Sequence, residues 1–393
     1  MGGSDTEMGG MGGQPTPLNR VQAFVVVLLG TALGFALGVY LVFQPESTSG
    51  ALPTSVSQVG TDSSGSSGNT GYEPPPPTPL PPTPEWVRLM DLHAEGKFEL
   101  LTGVDAEYLP LFINSMLSLS TWGMHRDVKT VCYDEETCEL IEEAGYENVV
   151  RDEFVHETAY FLIHQLACYA DKTPDEVEAA VRGFASVLLH SQLLGNDIGF
   201  FTFSSDVCFL RNPILDFMAP RETIVATVQV EDLHATDNGQ LFVEGYPHKI
   251  RLNLGTAVVK AQPDVRTLFA QLHGDVFLHL CEDRFEEGSF NRILFDEGLR
   301  LDLKGDYFKG NVLQSSVRTL PIHYFATGCA TDMIDDSTEF HVVNPLCKRD
   351  LADKISFLKE NGCWYLRNDW FNVPRTGNLD EYMEAVDNRV LDR

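Results

Sequence analysis

The densest chemical signal in the chain is Phe201-Thr-Phe-Ser-Ser-Asp206-Val-Cys-Phe-Leu-Arg211-Asn-Pro213. An aromatic, strand-favouring run gives way to two hydroxyls and a carboxylate, and then to a cation. A carboxylate at the carboxyl end of a strand stands where open α/β sheets receive their ligands. Oxygen donors there suit a hard divalent cation, which bridges in turn to phosphates. An Asp ending a strand also serves as an ordinary turn or cap residue, so the spacing alone leaves both roles open.

The surrounding pattern supplies the elements that must position these residues. Phe98-Glu-Leu-Leu-Thr102 reads as a strand, Tyr108 to Leu119 as an apolar helix, Val128 to Tyr133 as a second strand and Glu135 to Ala144 as a second helix. Pro174 to Leu194 reads as a long helix. Thr173 is its N-cap, Pro174 its first helical residue and Glu176 the partner of a capping box. Ile198 to Phe203 is then a strand that delivers Ser204 and Asp206. This β-α-β-α order predicts a parallel sheet with helices on both faces. No internal repeat, Gly-x-Gly-x-x-Gly, Walker loop, Gly-x-Ser-x-Gly or His-Glu-x-x-His is present.

Composition narrows the partners. A formal net charge of −29 argues against nucleic acid and anionic lipid surfaces, which require Lys/Arg patches. The eight cysteines are too scattered to read as a disulfide scaffold, and the absence of Cys-x-x-Cys argues against structural zinc. One or two disulfides suit a lumenal domain, with no pairing readable from spacing.

Four regions follow one another. Residues 1–20 form a tail, and residues 21–43 carry no charge and would extend roughly 34 Å as a helix, enough to cross a bilayer. The long apolar core and the flank Gln44-Pro45-Glu46 favour an uncleaved anchor over a signal peptide. Arg20 biases the tail toward the cytosol. Gly30, Gly34 and Gly38 offer a face for a homodimer through the span. Residues 44–85 are a stalk, Ser/Gly/Thr-rich and then Pro-rich, expected to be disordered coil passing into polyproline II. Residues 86–393 are long enough for one large α/β domain.

The segment Ser204 to Pro213 resembles the motif of the nucleotide-diphospho-sugar transferase family. These are GT-A glycosyltransferases that include plant wall arabinosyl- and xylosyltransferases. Asp206 matches the second acid of the family's Asp-x-Asp, and Ser204 stands where the first belongs; Phe209 and Leu210-Arg211-Asn212-Pro213 match the tail. The resemblance extends through Leu101-Thr102-Gly103, Tyr108 and Asn114, Tyr133 to Glu136, Asn253-Leu254-Gly255, Phe290-Asn291, Pro321, Phe325 and Gly328 to His341, Asn344, Lys354 and Gly362-Cys363-Trp364. Glu286-Glu287 replaces the family's Asp-Gln.

The resemblance implies a GT-A-like, Rossmann-type, mixed but mainly parallel sheet with flanking helices, preceded by one transmembrane helix. It implies transfer of a sugar from a nucleotide-diphospho-sugar, a UDP-linked donor, to a glycan or glycoprotein acceptor, with retention and with Mn²⁺ or Mg²⁺. Asp206, Ser204 and His341 would hold the metal, and Asp206 and Lys354 would be catalytic. Thr102, Asp134, Asn253, Asn291 and Lys354 would contact the donor. The implied setting is the Golgi membrane, single-pass type II, with the C-terminal domain lumenal. Bland roles stand beside these: Asp134 as an N-cap, His341 as a core histidine, Lys354 on a solvated helix face, Asn253 and Asn291 satisfying buried backbone. With Ser204 at the acid position, a catalytically weak glycan-binding or scaffold protein is the alternative.

Overall fold

The computed structural model describes residues 83–369 apart from 152, 231–232, 236–240, 244–249, 283–285, 328–339 and 349. The expected tail, membrane span with its Gly30, Gly34 and Gly38 face, and all but the end of the stalk lie outside the described residues. Among the described residues no helix is long and apolar enough to cross a membrane.

The chain opens with α1 (Glu85–Ala94), β1 (Phe98–Val104), α2 (Leu109–Ser120), β2 (Val128–Cys132), α3 (Glu135–Glu143) and β3 (Val149–Val150). Next come α4 (Glu153–Gln165), α5 (Pro174–Gly195), β4 (Gly199–Ser204) and β5 (Cys208–Phe209). A single π-helical turn, Ile214–Met218, leads to β6 (Ile224–Val230), β7 (Leu233–Ala235), β8 (Leu241–Val243) and β9 (Ile250–Val259). The remainder is α6 (Pro263–His279), α7 (Glu286–Asp296), β10 (Arg300–Lys304), β11 (Tyr307–Val312), β12 (Ser315–Thr319), β13 (Phe325–Thr327), β14 (Val342–Asn344) and α8 (Leu351–Glu360).

Nine strands form one mixed sheet in the order β10-β11-β12-β6-β9-β4-β1-β2-β3. The parallel run is β4-β1-β2-β3, as the β-α-β-α pattern predicts. Beyond β4 the sheet turns antiparallel through β9 to β6, and only β6 and β12 are parallel again. Side chains of β1 and β4 alternate between two cores, as the strand period of two requires. Leu101 and Phe200 join helices α4 to α7 on one face, whereas Leu100, Phe201 and Phe203 join α1 to α3 on the other. Burial on both faces explains why these strands are almost continuously apolar. The capping box of α5 forms as the sequence indicates: Thr173 Oγ1 accepts from Glu176 N, and Thr173 N donates to the Glu176 carboxylate.

Two consequences bear on the site. The chain leaves β1 for β2 and β3 on one side and returns to β4 on the other. Between the carboxyl ends of β1 and β4 the strand order therefore reverses, the crevice where open α/β sheets bind ligands. Thr102 pairs with Phe203 there, and Gly103 with Ser204. A second small sheet, β13-β14-β5, then folds the C-terminal part of the chain against the segment that follows Asp206.

Candidate functional site

Asp206 sits two residues beyond β4, beside the β1–β4 crevice, and is 8% exposed. Lys354, 148 residues later, places Nζ 2.6 Å from Asp206 Oδ2. Burying a carboxylate is costly without a cation, and Lys354 is that cation. The ammonium also lies 4.8 Å from the centre of the Tyr108 ring, a cation–π contact. Asp206 accounts for one of its three donors.

The framework holds this pair from several directions. Lys354 lies in the second turn of α8, whose N-cap Asp350 accepts from Asp353 N. The end of α8 is fixed by the Cys208–Cys363 disulfide, which ties it to β5. Asn114 of α2, fully buried, donates to Cys363 O and accepts from Tyr365 N and Leu366 N. Ser118 of the same helix accepts from Phe209 N. Helix α2, strand β5 and the segment after α8 therefore make one block around Asp206 and Lys354.

Ser204 and Asn253 meet at Gly255. The Ser204 hydroxyl donates to Gly255 O at 3.1 Å, and Asn253 Oδ1 accepts from Gly255 N at 2.6 Å. A Cβ at position 255 would lie 2.7 Å from Ser204 Oγ and 2.8 Å from Asn253 Oδ1. Thr102 is buried at the end of β1, and its hydroxyl has no hydrogen-bond partner among the described residues.

His341 belongs to a separate pair. Its Nδ1 is 2.9 Å from Asp216 Oδ2, and its ring stacks on Tyr324 with centroids 3.7 Å apart. Its backbone joins β5 to the neighbouring chain: Leu210 N and Arg211 N donate to His341 O, and His341 N donates to Tyr324 O. Asp216 comes from the π-helical turn, a local irregularity that often re-aims side chains near functional sites. The sequence carries no local sign of this pair, nor of the Tyr108 ring over Lys354.

Two expected donor contacts are engaged with the framework. Asp134 caps α3, with Oδ1 accepting from Thr137 N and Oδ2 from Thr137 Oγ1. Asn291 of α7 accepts from Leu252 N and donates to Leu252 O, securing β9 beside its bulge.

The donor set does not fit a divalent metal. Such a cation takes roughly six oxygen ligands. Here one carboxylate, already paired to an ammonium, stands beside a hydroxyl whose proton goes to a carbonyl, and the expected imidazole is turned to Asp216. Among the described residues no group of three or more His, Cys, Asp or Glu side chains is placed to hold a metal ion.

Cysteine pairing exceeds the one or two bridges expected from the sequence. Cys132–Cys138, Cys168–Cys281 and Cys208–Cys363 are disulfides, and Cys347 is disulfide-bonded as well. Cys168–Cys281 and Cys208–Cys363 join positions 113 and 155 residues apart that only the fold brings together, whereas Cys132–Cys138 closes a local loop with a separation of 6.

No family model matches this chain, and no curated protein does. Among solved structures it is similar to mouse xyloside xylosyltransferase 1 in its apo form, at 13% identity and a TM-score of 0.39, over 64% of this chain and 98% of that one. A likeness at that level has no bearing on chemistry, which rests on the residues of the site.

Proposed function

We propose that this chain is a glycosyltransferase that moves a sugar from a nucleotide-diphospho-sugar to a glycan or glycoprotein acceptor. The observation that carries the reading is the Asp206–Lys354 pair beside the β1–β4 crevice, within a segment that matches the family motif from Asp206 to Pro213. In the reaction the acceptor hydroxyl oxygen bonds to the anomeric carbon while the bond from that carbon to the β-phosphate oxygen breaks. The electron pair stays on the phosphate oxygen, and the hydroxyl proton leaves with the diphosphate or to solvent. Negative charge therefore grows on the leaving group, where a fixed cation in a partly buried site lowers the barrier. Lys354 is that cation, and transfer with retention is part of the proposal. The disulfides support an oxidising compartment, consistent with a lumenal domain of a Golgi type II membrane protein.

Ser204 favours a second reading. A hydroxyl spent on Gly255 O in place of an acid suits a protein of the same fold that binds a glycan or nucleotide with little turnover. One experiment separates the two. The full-length chain, purified in mild detergent, is screened against a panel of nucleotide sugars for release of the nucleoside diphosphate and for sugar transfer. Turnover of one donor, reduced at least about 100-fold by Asp206→Ala, supports the enzyme. Binding without turnover supports the second reading, and neither binding nor turnover defeats both.

A further inference from the structure

We infer that the site binds its nucleoside diphosphate without a divalent metal, the Lys354 ammonium standing where a metal would otherwise meet the phosphates. This rests on the sugar-transfer reading and goes beyond it, because the resemblance from Asp206 to Pro213 implies a metal.

Three observations carry the inference. The carboxylate at the metal position is paired with Lys354 at 2.6 Å, so carboxylate and ammonium together are neutral and offer little attraction to a second, doubly charged cation. The Ser204 hydroxyl directs its proton to Gly255 O and adds no negative charge. His341 is held by Asp216 and the Tyr324 ring. Lys354 itself is built in. Tyr108 lies against its ammonium, Asp206 fixes its head, and α8 is clamped to β5 by Cys208–Cys363 and to α2 by Asn114. A cation held this way is placed before the ligand arrives and has donors left for phosphate oxygens. Asp206 is then a positioning residue for Lys354.

Calorimetric titration of the full-length chain with UDP, and with GDP as a second probe, tests this once in chelator and once in Mn²⁺. The expected result is binding in chelator, with an affinity that Mn²⁺ changes less than about threefold, or about 0.65 kcal/mol. Lys354→Met should weaken UDP binding at least tenfold and Lys354→Arg should restore it, with melting curves confirming that both variants fold. Asp206→Asn, which would remove a metal ligand, should leave the affinity equally indifferent to Mn²⁺. Binding seen only with Mn²⁺ overturns the inference and leaves the sugar-transfer reading standing, as does chelator-resistant binding that Lys354→Met does not change. No binding of either nucleotide under either condition defeats the sugar-transfer reading and the inference with it. The wild-type comparison needs no variant, so a misfolded Lys354→Met would not blunt the test.

Discussion

Cys208 and Cys363, 155 residues apart, are joined by a disulfide that ties the strand after Asp206 to the turn after the helix bearing Lys354. The two halves of the charged pair come from segments with no local reason to meet, and this bond holds them in register. Closing so long a loop restricts the unfolded chain, which is the usual account of disulfide stabilisation.

Replacing both cysteines with serine should therefore cost about 2–4 kcal/mol of stability. It should also loosen α8, so nucleotide affinity should fall even in conditions where the variant remains folded. Thermal unfolding followed by circular dichroism, together with UDP titration below the transition, checks both parts. Unchanged affinity in the folded variant would show that Lys354 does not depend on the clamp.

Asn114 supplies the non-covalent part of the same clamp. Its side chain makes three hydrogen bonds to the backbone of residues 363, 365 and 366, and it is fully buried. Asn114→Leu keeps the branched outline of the side chain and leaves a carbonyl and two N–H groups without partners. Each buried orphan costs about 1–3 kcal/mol, so a loss of at least about 3 kcal/mol is expected in denaturant titration. A loss below about 1 kcal/mol would mean that water replaces the amide at little cost.

These relationships mark what the sequence could and could not reveal. Strands β1 and β4 were legible because burial on both faces forces a continuous apolar run. Helix α5 was legible because its cap is written locally in Thr173, Pro174 and Glu176. Asp206 was legible as a strand-end carboxylate. Its partner Lys354 was reached only through the family resemblance, since a pair 148 residues apart leaves no periodic trace. The Asp216–His341 pair and the two long-range disulfides were hidden for the same reason, and eight cysteines admit on the order of 100 pairings among which only the fold chooses. The alternation of strands and helices gives out after β4, so the antiparallel half of the sheet is anticipated only by the mixed sheet that the resemblance implies.

Gly255 tests the polar cluster beside the pair. An alanine there would bring its Cβ to 2.7 Å from Ser204 Oγ and 2.8 Å from Asn253 Oδ1, closer than packed atoms tolerate. Gly255→Ala should cost about 1–3 kcal/mol, the usual penalty for overpacking. Removing the hydroxyl with Ser204→Ala should recover part of that loss in a double-mutant cycle. Additive effects in chemical denaturation would show that Ser204 turns away without cost.

Glu85 provides the pH test. Its carboxylate joins Arg88 and the buried Lys260 at the start of α1. Burial favours the neutral acid, but hydrogen bonds and charge from Arg88 and Lys260 prevail and hold its pKa down at about 2. A carboxyl whose folded pKa lies below its unfolded value near 4.5 stabilises the fold above that value. The contribution fades as pH falls from about 4.5 toward 2. Burial meanwhile pushes the Lys260 ammonium below its ordinary range, so loss of the carboxylate leaves that charge poorly compensated. Glu85→Gln should cost about 1–2 kcal/mol at neutral pH, between the values for exposed and buried ion pairs. The gap between the two proteins should close across that acid window when stability is followed by denaturant titration at stepped pH. A gap that stays constant down to pH 2 would assign the effect to packing of α1 and not to the charge on Glu85.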